Sequence, residues 1–583
     1  MAELEQEEER RLDSALILFY HCFTDKPRMQ IALENTLRQA NVYEEWEGAA
    51  ISLDKIAKND DWREVSQSKE YNFKLIHKSN EGFKEALKHQ GRQDILDLTH
   101  SLRNNVARNL GNITTPSLYN RAYAGTKHLI EEYIYHLSQA VIALSECDPA
   151  QHNLLTSQNK LGLFLDARLG YGRTCLILQG GSVFGLCHLG VVKALHLRQL
   201  LPRIMVGTAT GALMAALVGV HTDDELLHFM SGRGIDLSAF AAASARAADA
   251  TSEAKVRSEP VRHGWLSTLW RRARRFLRDG YVLDVKVLEE CVRANIGAIT
   301  FEEAYVRTGR VLNITISHDV DGIPTLLNYL TAPYVLIGSA ALASSASNAS
   351  TSKTKIMSKN PLGEIGVWNP ALYAPQQAQK KVARPGQNSM NRDTPLHRLS
   401  EMFNVNHFIV SQARPYIVPF LSPTAQHSSP PRSSKETWPA LIMRLIGMEI
   451  KHQIRQMHRL GLLPAGLRRI LLDETVPGPS WTLVPSIELE DFARLLRNPT
   501  TEAIDYWILK GEREVWPAVA ALRVRCRVEY EIDRAYQGVR TRTSYAALAA
   551  EAAAGVVVET VGEREAGGEQ VTRRQRASSM GAL

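Results

Sequence analysis

The sequence predicts an α/β fold, a mostly parallel sheet flanked by helices, with a helical domain before it and a helical extension after it. Three observations predict it. Short apolar, strand-like runs occur at Cys175–Leu178, Arg203–Val206, Val311–Ser317 and Phe408–Ser411. The first two each lead into a glycine-bounded turn. Each turn opens an apolar helical pattern, first Leu186–Leu200 and then an Ala/Leu-rich run to Val220. Strands that alternate with helices in this way form parallel sheets covered on both faces. With 583 residues, 44% of them apolar and 22% charged, the chain is long enough for a large core and for more than one domain.

In chain order, residues 1–30 read as a tail. Met1–Arg11 is dominated by Glu and Arg and has neither the cationic start nor the cleavage site of a signal peptide. Residues 31–150 read as a helical domain, because Phe73, Ile76, Phe83 and Leu87 recur at helical spacing with charges between them. Residues 172–415 hold the α/β domain, with loose inserts near 241–262 and 374–391. Ser422–Lys435 is Ser/Pro-rich, and residues 436–535 read as a helical extension. Residues 536–583 are rich in Ala, Glu and Arg and poor in aromatics, which reads as a disordered tail. The apolar stretch Ile204–Val220 contains a glycine-bounded turn, so it is not expected to span a membrane.

A net charge of +7 favours anionic partners, either nucleic acid or acidic phospholipid. No basic–aromatic groove or nucleic-acid motif accompanies that charge, so nucleic acid is not an expected partner. The six cysteines are scattered without a CxxC pair. That argues against a zinc site or a disulfide framework and for a reducing, intracellular compartment.

The chemistry concentrates in two turns. Gln179-Gly-Gly-Ser-Val-Phe-Gly185 carries Gly180, Gly181, Ser182, Val183 and Gly185 between a strand and a helix. Backbone N–H groups in such a loop, aided by the helix dipole, can hold a phosphate or an oxyanion. A phosphate loop would continue with Lys-Ser/Thr, whereas Leu186-Cys187 follow here. The second turn, Gly207-Thr-Ala-Thr-Gly211, has the spacing of a Gly-x-Ser-x-Gly nucleophile elbow between strand and helix. Its central position holds Ala209, which has no oxygen, and Thr208 and Thr210 flank it. The nearby His188 and His196 read as packing or surface residues, and His407 as a core hydrogen-bonding residue.

The order of these turns resembles the patatin-like lipid acyl hydrolases. The likeness is closest to the fungal and plant patatin-domain triacylglycerol lipases. It is carried by Gly309-Arg-Val-Leu-Asn-Ile-Thr-Ile316, Leu327-Asn-Tyr-Leu-Thr-Ala-Pro333 and Phe403-Asn-Val-Asn-His-Phe-Ile-Val-Ser-Gln412. Further matches are Arg108-Asn-Leu-Gly111 and Gly125-Thr-Lys-His-Leu-Ile130 upstream, and Gly511-Glu-Arg-Glu-Val-Trp-Pro517 downstream. The resemblance implies a Ser–Asp dyad with an oxyanion loop, a lipid ester substrate and neither metal nor cofactor. It places the dyad serine on Ala209. Its aspartate falls on Gln387 in Gly386-Gln-Asn-Ser389, an altered loop, with Asp393 matching a later acid.

The partners expected from this likeness are lipid or fatty acid, met at a membrane or lipid-droplet surface. Trp265-Leu-Ser-Thr-Leu-Trp-Arg-Arg-Ala-Arg-Arg-Phe-Leu-Arg278 puts Trp265, Trp270 and Phe276 on one helical face and arginines around the rest. Such a helix either lies in a lipid interface or packs on the domain with its basic face solvated. Leu441–Leu463, with Met, Ile and Leu interleaved with Arg444, Lys451, Arg455 and Arg459, reads more as a core-packed helix pair, with membrane contact as the alternative. Two functions fit the chain. One is a lipid hydrolase family member with lost or atypical activity. The other is a catalytically dead lipid-binding adaptor or fatty-acid sensor.

Overall fold

The computed structural model describes residues 28–89, 91–147, 156–180, 182–230, 234–236, 238, 285–316, 326–345, 355–368, 395–413, 476–486, 491 and 501–565, with scattered positions between 442 and 457. A six-stranded sheet in the order β4-β3-β2-β1-β7-β8 organises them. Its strands are β1 (Arg173–Gln179), β2 (Ile204–Thr208), β3 (Val311–Thr315), β4 (Leu326–Leu327), β7 (Val405–Gln412) and β8 (Ser480–Leu483). All pairs are parallel except the edge strand β4, which runs antiparallel to β3. A small antiparallel hairpin, β5 (Met357–Lys359) with β6 (Ile365–Val367), stands apart from the sheet.

The four strand-like runs of the sequence are thus β1, β2, β3 and β7. They are legible because β1 is buried from Thr174 onward and β3 throughout, so nearly every position is apolar or internally bonded. Besides the β5–β6 hairpin, two short strands of the sheet itself were not expected. β4 has two residues, and β8 is the tetrapeptide Ser480-Trp-Thr-Leu483 within the segment read as a helical extension. β8 joins the sheet because its parallel pairing with β7 buries Trp481 and Leu483.

Helices cover the sheet. A single hydrophobic cluster runs from Trp46, Phe83 and Tyr133 in the N-terminal helices through β1 and β2 to Trp516 and Val528 near the C-terminus. Arg108 joins the same three regions by hydrogen bonds. Its guanidinium donates to Thr174 Oγ1 (2.8 Å), to the carbonyls of Gly172 (3.0 Å) and Arg525 (2.7 Å), and to Glu529 (3.0 Å).

Two further expectations need correction. Of the tail read as disordered, 536–583, residues 536–565 continue the helix Val519–Glu565, in which Val539 is still buried, and residues 566–583 lie outside the described residues. The alanine-rich run Ala546–Ala554, free of β-branched residues, propagates a helix that packing has already nucleated. The segment Leu441–Leu463 is helical at its described positions, but Ile442, Leu445, Ile446, Ile450 and Met457 are exposed rather than core-packed. The inserts near 241–262 and 374–391, and the stretch Trp265–Arg278 with Trp265, Trp270 and Phe276, lie outside the described residues.

Candidate active site

The site forms where β1 and β2 end at the carboxyl edge of the sheet, the usual ligand position in open α/β sheets. β2 stops at Thr208, and the elbow helix Thr210–Val220 starts two residues on. The reversal takes place in Ala209, at φ 56° and ψ −126°, a strained region for any residue with a Cβ. Both flanking glycines are required by space. A Cβ on Gly207 would lie 2.4 Å from Ala212 Cα, and one on Gly211 would lie 2.1 Å from the Leu178 carbonyl.

The strained residue is held from both sides by a helix that sequence reasoning missed, Ile337–Ser345. Ala209 N–H donates to Ser344 Oγ (3.0 Å), which itself donates to the Thr315 carbonyl (2.7 Å). Ser345 Oγ donates to the Ala209 carbonyl (2.9 Å). The only available signal was the small-residue run Ala340-Ala-Leu-Ala-Ser-Ser345, which lets a helix approach the elbow closely.

The hydroxyls beside Ala209 differ in availability. Thr208 Oγ1 is paired with Thr315 Oγ1 at 2.8 Å, on the β3 side. Thr210 Oγ1 is buried with no hydrogen-bond partner among the described residues. It faces the glycine loop, since a Cβ on Gly185 would lie 3.1 Å from it.

The glycine loop packs on the start of the elbow helix through a 3-10 turn, Ser182–Leu186, that leads into the loop helix Cys187–Leu197. Gly180, at φ 53°, takes a left-handed conformation that glycine adopts at little cost, and its N–H donates to the Thr208 carbonyl (3.1 Å). His188 sits beneath this turn. Ser411 Oγ on β7 donates to its Nδ1 (2.7 Å), so the ring proton lies on Nε2 and donates to the Gly180 carbonyl (3.3 Å). Burial pushes the imidazole down to about 4, so it is neutral at physiological pH. The sequence reading of His188 as mere packing therefore missed a brace linking β7, the glycine loop and, through Gly180, β2. His407, read as a core hydrogen-bonding residue, is buried with Nδ1 3.5 Å from Thr174 Oγ1 and Nε2 unpartnered among the described residues.

A second unforeseen contact is the helix Thr501–Val515. Trp507 meets Phe184 of the loop edge-on at 5.4 Å. The helix approaches so closely that a Cβ on Gly190 would lie 1.8 Å from the Ile508 carbonyl, and one on Gly511 would lie 2.0 Å from the Cys187 carbonyl.

Gly181, Gln387 and Asp393 lie outside the described residues, so the structure brings together the elbow and the glycine loop but not the expected acid position. Among the described residues no group of three His, Cys, Asp or Glu side chains could hold a metal ion. No helix among them is long and apolar enough to cross a membrane.

Comparison with known proteins agrees with this geometry. Residues 176–349 match the Patatin-like phospholipase family, and residues 23–169 match a domain of unknown function, DUF3336. Triacylglycerol lipase ptl1 of Schizosaccharomyces pombe is 34% identical over 491 residues, covering 84% of this chain and 82% of that protein. The chain belongs to the patatin-like family. Triacylglycerol lipase ptl3 of the same yeast is 30% identical over 86% of this chain and 96% of its own length. Triacylglycerol lipase SDP1L of Arabidopsis thaliana is 30% identical over 86% of this chain and 57% of its own length. The elbow of this chain combines a strained apex, two glycines required by space and two supporting serines. At its apex stands a methyl group.

Proposed function

We propose that this chain is a lipid acyl-ester hydrolase by descent, of the triacylglycerol or phospholipid class, that works in lipid metabolism at a membrane or lipid-droplet surface. We propose further that in this chain efficient hydrolysis has been lost, leaving an acyl site that binds without turnover. The observation that carries this reading is Ala209 at φ 56° and ψ −126°, fastened by Ser344 and Ser345. The names of the relatives support a lipid ester as the family's substrate.

The chemistry follows from what the apex lacks. Acyl transfer needs an oxygen nucleophile at the elbow and donors placed where the oxyanion develops. Gly180 and the Ser182–Leu186 turn lie against the start of the elbow helix, whose first N–H groups point out of its N-terminus. A carbonyl or carboxylate oxygen can be held there. Ala209 cannot attack it. In a protease stripped of its catalytic residues, donors and binding alone leave roughly 10³–10⁴-fold catalysis over water, far below an ordinary assay.

A lipid surface is supported by the exposed apolar positions Ile442, Leu445, Ile446 and Ile450, interleaved in sequence with Arg444 and Lys451. The Trp265–Arg278 stretch belongs to the same reading.

The test is hydrolysis of emulsified triacylglycerol and of a short acyl ester by the purified chain, beside Ala209→Ser and Ala209→Ser/Gln387→Asp. The native chain is expected to be inactive and the double variant to gain measurable turnover. Robust turnover by the native chain that disappears in Thr210→Val would overturn the reading and make Thr210 the nucleophile.

A further inference from the structure

The loop helix has a second end. Its eleven residues span about 16 Å, so Leu197–Gln199 lie well away from the glycine loop. There the helices Tyr43–Ile56 and His128–Glu146 and the segment from Trp516 to Arg527 enclose a cavity of about 560 Å³. That size is ordinary for a small-molecule site.

The walls are aromatic and aliphatic. Tyr43 and Trp46 stack at 5.9 Å, Trp516 meets Tyr43 edge-on at 6.5 Å, and Ile134 and Val524 are buried beside them. Ile51, Tyr135 and Leu197 also line the cavity, yet each is exposed, so apolar surface continues to the solvent side.

Its charge is of the opposite character to its walls. Four arginines and two glutamates line it. Glu131 is taken by Arg63 at 3.2 Å, and Glu47 accepts a hydrogen bond from Tyr43 at 3.0 Å. Arg527 is paired with Glu531 at 2.6 Å. Arg198 lies 3.9 Å from the Tyr43 ring, and its ion-pair partner Glu44 is not part of the lining. Arg523 is exposed and has no ion-pair partner among the described residues. Both Arg198 and Arg523 line the same cavity as Tyr43, Trp46 and Trp516.

Two arginines and apolar walls in one cavity suit a carboxylate or phosphate attached to a hydrocarbon chain. We propose that this cavity binds a single-chain anionic amphiphile. Its chain lies along Trp46, Ile134 and Trp516, and its head group meets Arg198 and Arg523. The site is separate from the elbow and rests on no reading of its chemistry.

The tryptophans supply the test. Purified chain is titrated with stearate and with lysophosphatidate, each carrying a dibrominated acyl chain that quenches indole fluorescence at short range. Dibrominated monoacylglycerol, which is neutral, serves as the control. Both anions should quench saturably and the neutral control should not. Trp46→Phe/Trp516→Phe should remove most of the quench, whereas Trp507→Phe, beside the glycine loop, should leave it unchanged. Arg198→Gln/Arg523→Gln should weaken binding about tenfold or more. Inorganic phosphate should not compete at matched concentration. The proposal is overturned if no saturable quench occurs, if the neutral amphiphile binds equally, or if phosphate alone displaces the anions. Loss of the quench in Trp507→Phe but not in the Trp46/Trp516 variant also overturns it, because the chain would then lie at the elbow. Should the tryptophan variants fail to fold, an unchanged affinity in the arginine variant is sufficient to reject it.

Discussion

At the scale of the residue, Ala209 holds a strained backbone conformation at the elbow apex and carries no oxygen. A non-glycine residue in such a conformation costs about 1–3 kcal/mol, while glycine costs roughly 0.5–1 kcal/mol in added chain entropy. Ala209→Gly should therefore leave stability unchanged or raise it slightly, as read by denaturant unfolding. A loss of more than about 1 kcal/mol would mean the methyl group makes contacts this account omits. Ala209→Ser adds only a hydroxyl to a Cβ already accommodated, which is why it is the natural rescue variant. Glu514 is a second residue at odds with its surroundings. It is buried, accepts the Val484 N–H, and burial pushes its carboxyl up to about 8. The folded chain thus keeps a proton that the unfolded chain releases near the ordinary carboxylate value of 4.5. Stability from this group is full below pH 4.5 and is lost as pH rises through 8. Glu514→Gln should stabilise the protein at pH 8, with the gain shrinking toward pH 4.5. Equal stabilisation at both pH values would show that the carboxyl does not titrate as described.

At the scale of the element, the active edge of the sheet was the most legible part of the chain. β1 and β2 are continuous apolar runs, and each ends in glycines whose spacing encodes the turn that follows. The elements that support these turns were less legible because their signals are non-local. Ser344 and Ser345 look like ordinary helix residues until the fold carries them to Ala209. Gly190 and Gly511 are 321 positions apart in the numbering, and only the packed structure reveals that both let two helices touch at the backbone. That contact makes the Thr501–Val515 helix a support for the glycine loop. Gly511→Ala should push the helix off Cys187, with an overpacking cost of about 1–3 kcal/mol. Amide exchange should accelerate at Ser182–Leu186 while β3 keeps its protection. Unchanged exchange in the loop would show that the loop holds its shape without the helix.

At the scale of the whole molecule, the N-terminal helices, the sheet and the C-terminal helices share one core, and Arg108 bonds to all three. Helical periodicity forecast the first of these regions and strand patterning the second. The extent of the third was misread, because Ala-rich composition does not tell a solvated tail from a helix anchored by Val528, Ile532 and Val539. The expected acid position, Gln387, lies outside the described residues. The nucleophile half is therefore where function can be tested most directly. A fluorophosphonate reacts covalently with an activated serine hydroxyl and needs no lipid, no interface and no complete dyad turnover cycle. Native chain and Ala209→Ser/Gln387→Asp are each incubated with the probe and mapped by peptide mass spectrometry. The account predicts no adduct on the native chain and an adduct at position 209 in the variant. A stoichiometric adduct on the native chain, at Thr210 or any other hydroxyl of the elbow and glycine loop, would contradict the claim that this site has lost its nucleophile.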